Sequence, residues 1–216
     1  MANIIFLNGC SSAGKTTLAI KLQQMLKEPY QHIALDQFRD GMPMRLRGLN
    51  SPPGTPGTMG LNVVPKVKDG EMVTSIRFGE YGEQVLTNMR KSIALFQNAG
   101  LNVIIDDLLF KRAYLDDYVS VLDPQSTWFI GVKCSLSVVK ERESRRPGRF
   151  PGTATSHYEQ VHEHGERYDL EVDTSELAAR EVAQQIIDRL AQPPKAVSYT
   201  HLRAHETRED RVCRLL

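Results

Sequence analysis

The segment Gly9–Thr16, Gly-Cys-Ser-Ser-Ala-Gly-Lys-Thr, constrains the fold of this chain more than any other. It matches the pattern G-x-x-x-x-G-K-[ST] without a mismatch. An apolar run from Ile4 to Leu7 precedes it, and apolar residues at helical spacing follow it. In such a strand–turn–helix unit, backbone N–H groups and the helix N-terminus together attract phosphate. The sequence therefore predicts an α/β fold with a phosphate-binding loop at residues 9–16.

The loop residues have distinct expected roles toward a nucleotide. Lys15 is suited to bridge the β- and γ-phosphates, and the Thr16 hydroxyl is suited to ligate Mg²⁺. Cys10 lies inside the loop, and we interpret it as a filler position rather than a nucleophile. The predicted nucleotide-binding residues here are Gly9, Cys10, Ser11, Ser12, Ala13, Gly14, Lys15, Thr16 and Thr17.

Short apolar runs alternate with helical periodicity along most of the chain. The predicted strands are residues 3–8, 32–35, 102–107, 127–132 and 168–172. The predicted helices follow the loop up to Pro29, cover 85–99, and lie near 114–121, 135–144, 155–164 and 176–190. Apolar runs without alternation are typical of strands that are buried on both faces. We therefore expect a parallel sheet with helices on both faces.

Residues 48–79 interrupt this alternation with a stretch rich in Pro and Gly. Apolar pairs flank Lys68-Asp69-Gly70, which suits a hairpin turn. The stretch is too short for a core of its own, so we predict an inserted hairpin flap within one domain of residues 1–192. Residues 193–216 show no apolar period, and we expect a disordered tail. Part of this tail resembles translated adapter sequence more than a native segment.

Three carboxylates lie at, or directly after, the ends of predicted strands. Asp36 can accept a proton from a substrate hydroxyl that attacks a γ-phosphate, or it can cap a helix beginning at Gln37. One of Asp106 and Asp107 is expected to order the water around Mg²⁺, and the alternative for Asp107 is a helix cap. The candidate metal-site residues are therefore Thr16, Asp106 and Asp107.

A basic loop follows the predicted helix 135–144. Arginine binds phosphate bidentately, and a loop that closes over ATP would exclude water. We predict a small lid over residues 142–155, and the alternative is a solvated basic turn. The arginines of this predicted lid are Arg142, near the end of the helix, and Arg145, Arg146 and Arg149 in the loop.

Composition excludes several classes of function. With 27 Lys and Arg against 26 Asp and Glu, the chain lacks the basic surplus of a nucleic-acid-binding protein. It has no apolar run near the roughly 20 residues that a membrane span needs, and its N-terminus is not typical of a signal peptide. We expect a soluble, cytoplasmic protein. His157, His162 and His164 are too loosely spaced to predict a metal site, and we expect them on a helix surface.

Several segments together resemble the chloramphenicol phosphotransferase family. Their order and spacing hold across about residues 3–191. The most specific are Leu35-Asp36-x-Phe38 with Met42-Pro43, and the segment from Tyr168 to Thr174. The others are residues 4–16, 103–107, 131–134, 141–143 and 161–162.

The resemblance implies a P-loop kinase fold that transfers the γ-phosphate of ATP to a hydroxyl of chloramphenicol and so inactivates the antibiotic. Asp36 matches the proposed catalytic base of the family, and Lys15 and Thr16 match its phosphate and Mg²⁺ positions. Arg142, Arg146 and Arg149 match its lid arginines. The residues that we assign to catalysis are Asp36, Lys15, Arg142 and Arg146, and the lid residues assigned to nucleotide binding are Arg142 and Arg149.

We accordingly predict an ATP- and Mg²⁺-dependent O-phosphotransferase whose partner is a small-molecule hydroxyl acceptor, with neither nucleic acid nor membrane involved. The oligomeric state is open, and a homodimer is one option. Residues 44–80 depart from the family, so a metabolite or nucleoside kinase of the same fold is an alternative. A nucleotide-sensing NTPase switch is an alternative from another class, although the guanine-reading motif N-K-x-D is absent from the sequence. The expected apolar wall for the acceptor is Met42, Pro43, Met44, Leu46 and Phe78.

Overall fold

The computed structural model describes residues 2–68, 70–148 and 150–195. Its strands are β1 (Ile4–Asn8), β2 (Tyr30–Ala34), β3 (Arg47–Leu49), β4 (Leu61–Lys68), β5 (Glu71–Phe78), β6 (Asn102–Asp107), β7 (Thr127–Lys133) and β8 (Leu170–Asp173). Its α-helices are α1 (Lys15–Met25), α2 (Leu35–Asp40), α3 (Glu80–Asn98), α4 (Arg112–Val121), α5 (Leu136–Ser144) and α6 (Ala179–Leu190).

Within the described ranges, the main sheet has five strands in the order β2-β6-β1-β7-β8, and every pairing is parallel. Alternate residues of β1 enter two different cores. Ile5 and Leu7 pack with α1 and α6, whereas Ile4 and Phe6 pack with α3 and α4. The predicted parallel sheet with helices on both faces is confirmed.

A second sheet, built from β3, β4 and β5, is inserted between α2 and α3. β4 and β5 form an antiparallel hairpin in which Leu61 pairs with Phe78 at one end and Lys68 pairs with Glu71 at the other. β3 pairs in parallel with β4. The hairpin lies where the sequence predicts it, and β3 widens it to three strands in the described part of the chain.

Some local expectations are wrong. Residues 155–164 form two short 3-10 turns, Thr155–His157 and Gln160–His162, instead of an α-helix. Helix α2 begins at Leu35 with Ala34 as its N-cap, so Asp36 lies in the first turn and does not cap a helix from Gln37.

The three histidines do not lie on a helix surface, since His157 and His164 are buried and His162 is half-buried. Their imidazole rings hydrogen-bond to Ser11 and Tyr168, and the spacing of the histidines in the sequence does not indicate these partners. Within the described ranges, no helix combines the length and the apolar character needed to cross a bilayer. The greater part of the predicted tail, residues 196–216, lies outside the described residues.

Candidate active site

The phosphate-binding loop (Gly9–Thr16) follows directly on the buried strand β1. Gly14 is the N-cap of α1 with a left-handed backbone (φ 91°), and Ser12 also has a positive φ of 63°. Gly9 is required for a different reason, because a Cβ there would lie 2.4 Å from the carbonyl oxygen of Val132. Burial raises the pKa of the Cys10 thiol to about 11, which keeps it protonated at neutral pH.

Lys15, Thr16 and Asp106 converge at the end of the loop. The Thr16 hydroxyl donates a hydrogen bond of 2.6 Å to Asp106 Oδ2, and Lys15 Nζ lies 3.7 Å from Asp106 Oδ1. Lys15 Nζ also donates to the carbonyl oxygens of Gly9 and Cys10, at 2.9 and 3.0 Å. Burial disfavours the charged form of Asp106, but Lys15, His32 and Thr16 together outweigh it, so the pKa of this carboxyl lies below its ordinary value.

Asp107 points to the opposite face of β6. Its carboxylate accepts hydrogen bonds of 2.7 Å from the Tyr118 hydroxyl and from the Leu108 N–H, and Arg90 lies 3.9 Å away. Asp107 is fully buried, and this burial raises its pKa despite the opposing charge of Arg90. The structure therefore brings Asp106, and not Asp107, to the phosphate-binding loop.

A cavity of about 710 Å³ opens beside the loop. Arg142, Arg145 and Arg146 line it, while Arg149 lies outside the described residues. Arg142 is fixed, because its guanidinium donates to the carbonyl oxygen of Thr174 at 2.6 Å and to the Thr174 hydroxyl at 3.2 Å. Arg145 and Arg146 are exposed, and Arg145 pairs with Glu141 at 2.6 Å.

Asp36 lies at the junction of two cavities. It lines the first cavity and also a second one of about 470 Å³. Arg39 Nη1 donates to Asp36 Oδ1 at 2.6 Å, and the Asp36 side chain is 39% exposed. Arg39 therefore orients the carboxylate through one of its oxygens, and the carboxylate remains accessible to a small molecule.

Apolar and aromatic side chains form much of the second cavity, and Ser11 of the phosphate-binding loop also reaches it. Of the expected wall residues, Phe78 lines this cavity. Met42 and Leu46 are buried, and Met42 lines a separate pocket, while Met44 is 76% exposed. The lining residues that the sequence did not single out individually are Leu35, Arg39, Ser75, Ile76, Arg77, Leu108, Phe110, Lys111, Ser156, His157 and Gln160.

The sequence profile of a family described as "Chloramphenicol phosphotransferase-like protein" matches residues 2–191. The chain belongs to this family. A Mycobacterium tuberculosis protein, provisionally assigned as an O-phosphotransferase, is 29% identical over 200 residues, which cover 93% of this chain and 87% of that protein. The chain is therefore a phosphotransferase.

Solved structures show the same fold. A sugar kinase from Janibacter sp. HTCC2649 matches with a TM-score of 0.59 and 17% identity, over 88% of this chain and 95% of that chain. The APS kinase of Mycobacterium tuberculosis, solved in complex with AMPPNP and APS, also has a TM-score of 0.59, at 14% identity over 88% of this chain and 98% of that chain. The fold is accordingly that of the P-loop kinases.

Proposed function

We propose that this phosphotransferase moves the γ-phosphate of ATP to a hydroxyl of a small molecule, with chloramphenicol as the first acceptor to test. The position of Asp36 is the observation that carries the proposal, because its carboxylate is shared by the cavity beside the phosphate-binding loop and the second cavity. ATP in the first cavity and an alcohol in the second would both reach this junction.

Asp36 would act as the general base. With Oδ1 held by Arg39, Oδ2 is the oxygen that can accept the proton of the acceptor hydroxyl. The acceptor oxygen then forms a bond to the γ-phosphorus, the bond from that phosphorus to the bridging oxygen breaks, and ADP leaves. Arg39 also limits the rotation of the carboxylate, which favours a productive approach.

Cationic residues would stabilise the charge on the transferred phosphoryl group. Lys15 Nζ donates to two loop carbonyl oxygens, which are weaker partners than phosphate, so we expect it to turn toward the β- and γ-phosphates of ATP. Arg142 Nη1 lies close to the N-terminus of α1, since a Cβ added at Gly14 would be 3.6 Å from it. We propose that Arg142 and Arg146 contact the phosphates from the side of the predicted lid, together with Arg149.

The oxygen atoms of Thr16 and Asp106 fit a magnesium ion. Magnesium prefers hard oxygen ligands and binds through one or two carboxylates, water and substrate phosphates. Among the described residues there is no cluster of three or more His, Cys, Asp or Glu that would hold a metal without substrate. Thr16 and Asp106 would hold Mg²⁺ together with ATP, and the ion supplies charge neutralisation on the phosphates when bound.

The second cavity suits an acceptor with an aromatic part and a hydroxyl. Phe78 and Phe110 are nearly parallel, with ring centroids 6.3 Å apart, and Leu35 and Leu108 extend the apolar surface. Chloramphenicol combines these features, and the family description favours it.

Mass spectrometry of an acceptor screen tests the proposal. The protein is incubated with ATP, Mg²⁺ and an amphenicol, a nucleoside or a sugar, and the mass gain of one phosphoryl group is sought, with Asp36→Asn as the matched control. We expect phosphorylated chloramphenicol from the wild type. Phosphorylation of another alcohol alone would retain the kinase and refute the drug assignment. ATP hydrolysis independent of any alcohol would instead indicate the NTPase switch.

A further inference from the structure

One wall of the second cavity, which we call the acceptor wall, is the segment of residues 150–162. Helix α5 holds it through Glu143, which is buried to 5% exposure. The two carboxylate oxygens of Glu143 accept hydrogen bonds of 2.8 Å from the N–H groups of Gly152 and Ala154. A buried carboxylate satisfied by two backbone donors fixes this stretch of chain firmly.

The inserted sheet holds the same wall from the other side. The N–H of Thr74 donates to Gly152 O at 3.1 Å, and the Thr74 hydroxyl donates to Pro151 O at 2.7 Å. Gly152 has a φ of 74°, and a Cβ there would lie 1.9 Å from Met72 O. The wall and β5, which both line the second cavity, are therefore joined as one unit.

His157 joins this unit to the phosphate-binding loop. Its Nε2 accepts a hydrogen bond of 3.1 Å from the N–H of Ser11. The imidazole is therefore neutral with its proton on Nδ1, which lies 3.3 Å from the Ser156 hydroxyl oxygen. The Ser156 hydroxyl donates to Thr153 O at 2.7 Å, so its oxygen can accept that proton. His157 is 8% exposed and lines the second cavity with Asp36.

We propose that His157 is a positioning residue for phosphoryl transfer, an inference that rests on the proposed function. Its bond to Ser11 sets the distance between the acceptor wall and the loop that holds the γ-phosphate. Misplacement of reacting groups by about 1 Å costs on the order of 10²-fold in rate. Because the bond joins the loop to the wall and not to the nucleotide, its loss changes kcat far more than nucleotide affinity.

Two substitutions of His157 separate this role from a merely structural one. His157→Gln keeps a hydrogen-bond acceptor close to the position of Nε2, whereas His157→Leu removes it. Tyr158→Phe is the matched control, because it deletes a hydrogen bond of 2.6 Å from the same wall to Cys134 O and leaves the bond between His157 and Ser11 in place. Transfer kinetics, AMPPNP affinity and melting temperature are measured for all three.

We expect His157→Leu to lower kcat by about 10- to 100-fold while the Kd for AMPPNP changes less than about threefold. His157→Gln should stay within about threefold of the wild type, and Tyr158→Phe should keep its kcat. A wild-type kcat for His157→Leu would overturn the proposal. Equal losses in the leucine and glutamine variants, or a parallel loss of AMPPNP affinity, would also overturn it.

Amide hydrogen exchange of Ser11, followed by NMR with AMPPNP and Mg²⁺ bound, tests the bond without any acceptor. The Ser11 N–H should exchange about tenfold faster or more in His157→Leu than in the wild type and His157→Gln. Equal protection in all three would overturn the inference. Absence of transfer by the wild type, with Ser11 protected as expected, would refute the proposed function alone.

Discussion

Acidification from pH 7 to pH 5 is expected to destabilise the protein through two histidines that share the Tyr168 hydroxyl. The Glu166 N–H donates to Nδ1 of His164, so His164 Nε2 carries the proton and donates to Tyr168 Oη at 2.8 Å. Tyr168 in turn donates to His162 Nδ1 at 2.7 Å, and the Asn8 amide donates to Tyr168 Oη. Protonation of either imidazole would break this chain of bonds.

The magnitude follows from the lowered pKa values. Burial lowers the pKa of both His162 and His164 from 6.5 to about 4. The unfolded chain therefore binds these protons first, so the stabilisation is complete above about pH 6.5 and is lost progressively between pH 6.5 and 4. At about 1.4 kcal/mol per pH unit, the contribution of His164 to the free energy of unfolding falls by ~2 kcal/mol by pH 5. The contribution of the half-buried His162 falls by less, since solvent screens the interactions of its imidazole.

Urea unfolding at pH 7 and pH 5 measures this loss. His164→Gln is the control, because glutamine can still donate to Tyr168 and does not titrate. We expect the wild type to lose ~2 kcal/mol more unfolding free energy between the two pH values than the variant does. Equal losses would refute the buried network as the origin of the pH dependence.

Three further predictions concern the loop, the metal site and the sheet. Lys15→Ala should abolish transfer while the protein stays folded, since Lys15 contacts loop carbonyl oxygens and Asp106 and not the apolar core; near-normal turnover would contradict its role. Asp106→Asn should raise the Mg²⁺ concentration needed for half-maximal transfer by about tenfold or more; an unchanged titration would place the ion elsewhere. Gly131→Ala should cost about 1–3 kcal/mol in urea unfolding, because its Cβ would lie 2.7 Å from the Tyr168 ring; unchanged stability would show that the ring can move.

The fold and the phosphate-binding loop could be predicted because their determinants are local. A glycine pattern between an apolar run and a helical period specifies one backbone path, and the apolar runs specify strands buried on both faces. Asp106 and Asp107 show where local reasoning stops. Neighbouring strand residues face opposite sides of a sheet, but the sequence does not tell which side holds the loop.

The second cavity and the buried histidines depend on contacts between distant segments. His157 meets Ser11 across 146 residues, and Asn8 meets Tyr168 across 160. The spacing of the three histidines within residues 155–164 does not indicate such partners. The expectation that these histidines lie on a helix surface was therefore wrong. Phe78 could be assigned to the acceptor region because it belongs to the inserted sheet, whereas Phe110 follows β6 and gave no comparable pattern.

The fate of the ATP γ-phosphate tests the proposed reaction most directly. ³¹P NMR of the wild type with ATP, Mg²⁺ and chloramphenicol should show a phosphate ester that appears together with ADP in equal amounts. Asp36→Asn should lower that rate by roughly 10²–10⁴-fold and leave AMPPNP affinity unchanged. Release of inorganic phosphate at the same rate with and without alcohols, in both the wild type and the variant, would contradict phosphoryl transfer with Asp36 as its base.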